Sequence, residues 1–212
     1  MEVIMKVFTK ARLILSALFA AILLFVGISL PNQTAEAETM NLEGKNVAFL
    51  ITEGFHDAET LFPKGYLINY GANVTLIGEE PGSFTAYNSD VTLSIEKTIA
   101  DVSVDEFDAL VIPGGHSPGN LRENDDVIGF VQNYMQSDKP VAAICHGPQV
   151  LVTADVISGR NLTGFEAVED EITEAGADFQ DTEVLVDGNI ITSRIPDDLP
   201  AFSREIAIAI AD

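Results

Sequence analysis

No second cysteine exists in this chain of 212 residues, so Cys145 can form no internal disulfide. Positive charge is scarce as well: 11 Lys+Arg stand against 33 Asp+Glu, for a formal net charge of −22. Nucleic acid is not the expected partner of such a chain, because binding it requires lysine and arginine to neutralise phosphates. Acidity of this degree suits a protein that stays soluble at high salt or outside the cell, with self-repulsion in dilute buffer as the consequence. Histidine occurs only at positions 56, 116 and 146. No internal repeat is present, nor any low-complexity segment beyond the N-terminal one.

That N-terminal segment reads as an appendage. Lys6, Lys10 and Arg12 precede an apolar run of 18 residues, Leu13 to Leu30, and a polar stretch then holds Ala35-Glu36-Ala37, a small-x-small cleavage pattern. The order predicts an export signal over 1–37, with cleavage after Ala37. The run is just long enough to span a bilayer, so an uncleaved membrane anchor is the alternative. Either way the domain leaves the cytoplasm, since the positive charges lie before the apolar run. A linker over 38–44 and one domain over 45–212 follow. Without residues 1–37 the chain keeps 8 Lys+Arg and 31 Asp+Glu, a net charge of −23.

From Lys45 onward short β-rich runs alternate with amphipathic helical stretches, the pattern of a doubly wound α/β fold with a mainly parallel sheet covered on both faces. Strands are expected over 46–52, 73–78, 91–95, 108–112, 140–144, 161–165, 182–186 and 189–194. Helices are expected over 57–70, 125–137, 146–154 and 197–211, the first ending at Gly71, which suits a left-handed C′ position.

The chemistry gathers at one sheet edge. In Val141-Ala142-Ala143-Ile144-Cys145-His146-Gly147-Pro148 an apolar strand stops at the thiol and turns into a helix. Ala143 and Gly147 give the small-x-nucleophile-x-small spacing of a strand-to-helix elbow. A helix N-terminus favours thiolate over thiol, so an exposed thiol, ionised below neutral pH, is expected. The plainer alternative is a buried structural cysteine. His56, His116 and His146 also follow predicted strands, and ligands of open α/β sheets bind outside the carboxyl ends of strands. Glu59 falls in the first turn of the helix after strand one. Protonated by burial, it can donate a hydrogen bond to the thiolate, and the alternative is a solvated first-turn glutamate. Gly114, Gly115 and the N–H of His146 can form an oxyanion hole, although glycines in a plain turn would read the same. His116, His146 and Cys145 match no common zinc spacing, and no metal or cofactor is expected.

Ala-Ile-Cys-His-Gly-Pro, Pro-Gly-Gly-His-Ser-Pro and Glu59-Thr60 together resemble the motifs of the ThiJ/PfpI superfamily, from about Asn46 to the C-terminus. The closing run from Thr192 to Phe202 is similar to the bacterial stress-induced branch. The resemblance implies a flavodoxin-like α/β/α sandwich of the class I glutamine amidotransferase-like kind, a nucleophilic Cys145, a helper acid Glu59, and a homodimer or higher homo-oligomer. It implies action on small carbonyl compounds or on glycated or peptide substrates, through deglycase, cofactor-independent glyoxalase or cysteine peptidase activity. Two positions depart from the family pattern. Peptidase-like members complete a Cys-His-acid triad with an acid where this chain has Gly119, and many relatives carry an acid at His56. The expected function is therefore a cysteine-dependent stress-protection enzyme acting on reactive carbonyls, with His146 as proton carrier and His56 and His116 at the substrate. The alternatives are a peptidase and a non-catalytic redox sensor or chaperone.

Overall fold

Continuous apolar runs make the central strands. In the computed structural model, which describes residues 40–211, every residue from Val47 to Leu50, Ala109 to Ile112 and Val141 to Ile144 is buried, as in strands covered on both faces. The chain runs β1 (Asn46–Leu50), α1 (Asp57–Asn69), β2 (Asn73–Gly78), β3 (Gly82–Thr85), β4 (Thr92–Ile95), β5 (Lys97–Thr98), β6 (Ala109–Ile112), α2 (Ser117–Leu121) and α3 (Asp125–Met135). It continues with β7 (Val141–Ile144), α4 (Pro148–Thr153), β8 (Asn161–Leu162), α5 (Glu169–Glu174), β9 (Asp178–Phe179), β10 (Val184–Asp187), β11 (Ile190–Ser193) and α6 (Leu199–Ala211).

Seven strands form one sheet in the order β10-β11-β7-β6-β1-β2-β5. All its pairings are parallel except that of β10 with β11. Alternate side chains along each strand divide the core. Val47, Phe49, Val111 and Ile144 pack against Leu67 of α1 and Phe202, Ile206 and Ile210 of α6. On the other face Leu50, Leu110, Ile112 and Val141 meet Val131 and Tyr134 of α3 and Val150 and Leu151 of α4. This is the flavodoxin-like sandwich expected from the alternation of runs. The chain steps from β1 outward to β2 and then crosses back to β6 on the far side of β1, so a switch point opens between β1 and β6.

Boundaries moved where local chemistry intervened. The helix expected from His146 begins at Pro148, because residues 145–147 are spent on the elbow. The strand expected over 161–165 reduces to Asn161–Leu162, and α2, α5 and β9 were not foreseen. Gly71 follows α1 with φ +102°, as its position required. The apolar segment 13–30 and the cleavage site at Ala37 lie outside the described residues. Among the described residues no helix is long and apolar enough to cross a membrane.

Candidate active site

Cys145 sits immediately after β7 with φ +60°, a left-handed conformation that a non-glycine residue adopts at a cost. The conformation is held from both sides. Its N–H donates to Ser193 O at 3.1 Å, the Phe165 N–H donates to its carbonyl at 3.0 Å, and Gly147 N–H closes back on Ile144 O at 2.8 Å. A Cβ at 147 would run into the Ile112 carbonyl, which explains the small residue there. The elbow is thus real, yet the thiol it presents is only 8 % exposed. That corrects the expectation of an open thiol: the elbow turns Cys145 into the crevice between β7, β6 and α1.

Glu59 meets it there. The side chain is fully buried, and the Gly114 N–H donates to its Oε2 at 2.8 Å. This contact needs glycine at 114, where a Cβ would lie 2.7 Å from the Cys145 Cβ and against Glu59 Oε2. It also corrects the expected oxyanion hole. The Gly114 amide is engaged by Glu59, whereas the Gly115 and His146 amides face the sulfur. Gly115, at φ +83°, lies so close to Gly54 O and His56 N that no side chain fits. Glu59 Oε1 has no hydrogen-bond partner, and its nearest basic neighbour is His56 Nε2 at 3.9 Å.

Burial pushes the Glu59 carboxyl up to about 7, against the Gly114 N–H and the Cys145 contact, which pull it down. Burial and then the Glu59 charge push the Cys145 thiol up to about 12, against the Gly115 and His146 amides. The expectation of a thiol ionised below neutral pH fails here for a physical reason: a buried crevice holds one negative charge readily and two badly. Cys145 and Glu59 therefore titrate as a pair, with a first step near 7 and a second near 12. The singly charged pair can be thiol with carboxylate or thiolate with carboxylic acid. The carboxyl ionises first, so the resting form at neutral pH is thiol with carboxylate, and Glu59 or His146 Nδ1 takes the thiol's proton as sulfur attacks.

The three histidines surround this pair. His146 Nδ1 is 3.2 Å from Cys145 Sγ, its ring packs against Phe165 at 5.1 Å, and burial followed by His116 lowers its pKa, so it is a neutral base at pH 7. Glu171 acts on it in the opposite sense. That carboxylate is gripped by Arg122 Nη1 at 2.7 Å and Gln149 Nε2 at 2.8 Å. His56 caps α1, with its pKa lowered by burial, and His116 caps α2 with its N–H on Gly54 O at 2.8 Å. Gly119 has open space around it and contributes no acid.

Tyr87 also belongs here, and the sequence did not reveal it. Its ring lies 4.5 Å from that of His116 and 5.6 Å from that of His56, carried in by the β3–β4 connection. A tyrosine between Ala86 and Asn88 in a stretch without periodicity gave no signal for a site. Among the described residues no cluster of three His, Cys, Asp or Glu side chains could hold a metal ion.

The chain has counterparts among known proteins in sequence and in fold. Residues 45–209 match the model of the DJ-1/PfpI family. A protein/nucleic acid deglycase 2 of Escherichia coli (strain K12) is 44 % identical over 163 residues, covering 76 % of this chain and 95 % of the relative. The putative cysteine protease YraA of Bacillus subtilis (strain 168) is 42 % identical, again over 76 % and 95 %. A deglycase of Pyrococcus horikoshii is 38 % identical over 75 % and 95 %. Among solved structures, Drosophila melanogaster DJ-1beta superposes with a TM-score of 0.74 at 28 % identity, covering 79 % of this chain and 90 % of that one.

Proposed function

Because the chain belongs to the DJ-1/PfpI family, we propose that it is a cysteine-dependent enzyme that removes reactive-carbonyl adducts from proteins, a deglycase like the relatives it matches. The observation that carries this reading is the buried Cys145 and Glu59 side by side, with the Gly114 N–H on Glu59 Oε2 at 2.8 Å and His146 Nδ1 at 3.2 Å from the sulfur.

In this reading the thiolate attacks the carbinol carbon that joins a side-chain amine to a methylglyoxal unit. The S–C bond forms, the C–N bond breaks, and the amine leaves with a proton delivered by Glu59 or His146. The hemithioacetal left on sulfur isomerises: a proton moves from its carbinol carbon to the neighbouring carbonyl carbon, and the amides of Gly115 and His146 hold the developing oxyanion. Water cleaves the resulting thioester. The net reaction is adduct plus water to free amine plus a 2-hydroxy acid, an internal oxidation and reduction that needs no external oxidant. Free methylglyoxal can enter at the hemithioacetal, which gives glyoxalase activity at the same cysteine.

Release of amine and lactate from methylglyoxal-treated N-acetylated amino acids tests the proposal, with Cys145→Ser and Glu59→Leu as controls. Turnover by wild type that is lost in Cys145→Ser is the expected result. Equal turnover by Cys145→Ser, or none by wild type, overturns it. A peptidase reading has one observation in its favour, the name of the Bacillus relative. His146 has no hydrogen-bonded acid partner in the described chain, which supports the deglycase instead. We propose further that residues 1–37 direct export, with cleavage after Ala37. N-terminal sequencing of protein from cell fractions tests this, and a cytoplasmic protein retaining Met1 refutes it.

A further inference from the structure

A large aromatic ring held rigidly in the open beside a nucleophile calls for an explanation. Tyr87 is 48 % exposed, yet it is not loose. Its N–H donates to Phe55 O at 3.1 Å. Its neighbour Asn88 clasps Asp57, accepting from the Asp57 N–H at 3.2 Å and donating from Nδ2 to Oδ1 at 2.7 Å. His116 and His56 support the ring. We propose that Tyr87 is a specificity wall of the active site and that, together with Asp57, it selects adducts carried on a planar cation, the guanidinium of arginine.

Charge and shape both favour that occupant. A tyrosine face attracts a cation by its quadrupole and stacks on a planar guanidinium more fully than on an ammonium. Asp57 supplies the countercharge: hydrogen bonds from Ser89 and Asn88 hold it below the usual carboxylate range, so it is ionised at any working pH. Beyond His146 a hollow of about 320 Å³ is edged by Glu166 and Glu169, and by Asp181 paired with Arg194, so among the described residues the crevice has unpaired acids on both flanks. The arginines beside it are already engaged, Arg122 by Glu171 at 2.7 Å and Arg194 by Asp181 at 2.6 Å and Asp198 at 2.9 Å. A phosphate-bearing adduct on a nucleotide would meet carboxylates and find neither of these cations free.

The inference deepens the deglycase reading, and its test separates the two. In the first arm, Cys145 alkylation by iodoacetamide is measured in the presence of N-acetylarginine amide or its neutral isostere N-acetylcitrulline amide. Arginine should protect at concentrations at least fivefold lower in wild type and Tyr87→Phe, and this preference should fall by threefold or more in Tyr87→Ala and in Asp57→Asn. Equal protection by the two amides, or an undiminished preference in both Tyr87→Ala and Asp57→Asn, overturns the wall. Circular dichroism of each variant confirms folding, and Tyr87→Phe separates the ring from the hydroxyl. In the second arm, the ratio of kcat/KM for the methylglyoxal adduct of N-acetylarginine to that of N-acetylcysteine should drop at least fivefold in Tyr87→Ala. An unchanged ratio also counts against the wall. Absence of all turnover in wild type defeats the deglycase reading alone, and the protection arm still decides the fate of the wall.

Discussion

Glu59 is the residue on which the site's response to pH turns. Its folded pKa of about 7 lies above the ordinary 4.5, so between those values the native state holds a proton that the unfolded state has lost. Stability contributed by the neutral carboxyl is therefore present below about 4.5 and lost as pH rises to about 7. At 1.36 kcal/mol per unit the loss is about 3 kcal/mol. His56 at 3.9 Å, Cys145 and Asp57 face the same carboxyl. Comparing Glu59→Gln with wild type largely cancels the histidine titrations common to both. The melting temperature of the variant relative to wild type should climb between pH 4.5 and 7.5, and a constant offset would show that Glu59 is not the titrating group. A second measurement concerns sulfur. Iodoacetamide labelling of Cys145 should rise through about pH 7, as the pair loses its first proton, and climb again only above pH 10. A single step near 8.5, the value of a free thiol, would mean the pair does not share its charge.

At the scale of elements, the strands were legible and the short connectors were not. Val141 to Ile144 announces itself as a buried strand because four apolar residues run without interruption into the elbow spacing. The helices α2 and α5 have five and six residues, too few for a hydrophobic period to emerge. The positions of Cys145, His146 and Glu59 were read correctly from the ends of strands and the start of a helix. The burial of the thiol was not, since it depends on how closely β6, β7 and α1 converge, a distance set by Gly114. Gly114→Ala tests that convergence. The added methyl must displace Cys145 or Glu59 in a crevice with no slack, so a destabilisation of about 1–3 kcal/mol is expected, with deglycase activity reduced at least a hundredfold. Near-normal activity in this variant would show that the close approach is not needed. Gly119, by contrast, faces open space. Wild type should not cleave casein, and robust cleavage abolished in Cys145→Ser would favour the peptidase reading over the one proposed.

For the whole molecule the dominant quantity is charge. A net −22 on 212 residues repels itself, and the Debye length contracts from about 10 Å at 0.1 M salt to about 3 Å at 1 M. The melting temperature should therefore rise with sodium chloride over that range. A flat or falling curve would mean that local ion pairs such as Arg160–Asp187 and Arg122–Glu171 outweigh the long-range repulsion.

The β3–β4 hairpin carries a last consequence. Its strands pair only with each other, and Phe84, Ala86 and Ile95 form with Ile51 and Phe55 a small core separate from the two that sandwich the sheet. The nucleophile rides on β7 and its partner acid on α1, whereas Tyr87 arrives on this separately packed finger. Reactivity and selectivity are thus inherited on different pieces of chain. A lineage can exchange the finger for one of different length or charge, and so change what the enzyme repairs, while the strained turn beneath it passes on unaltered.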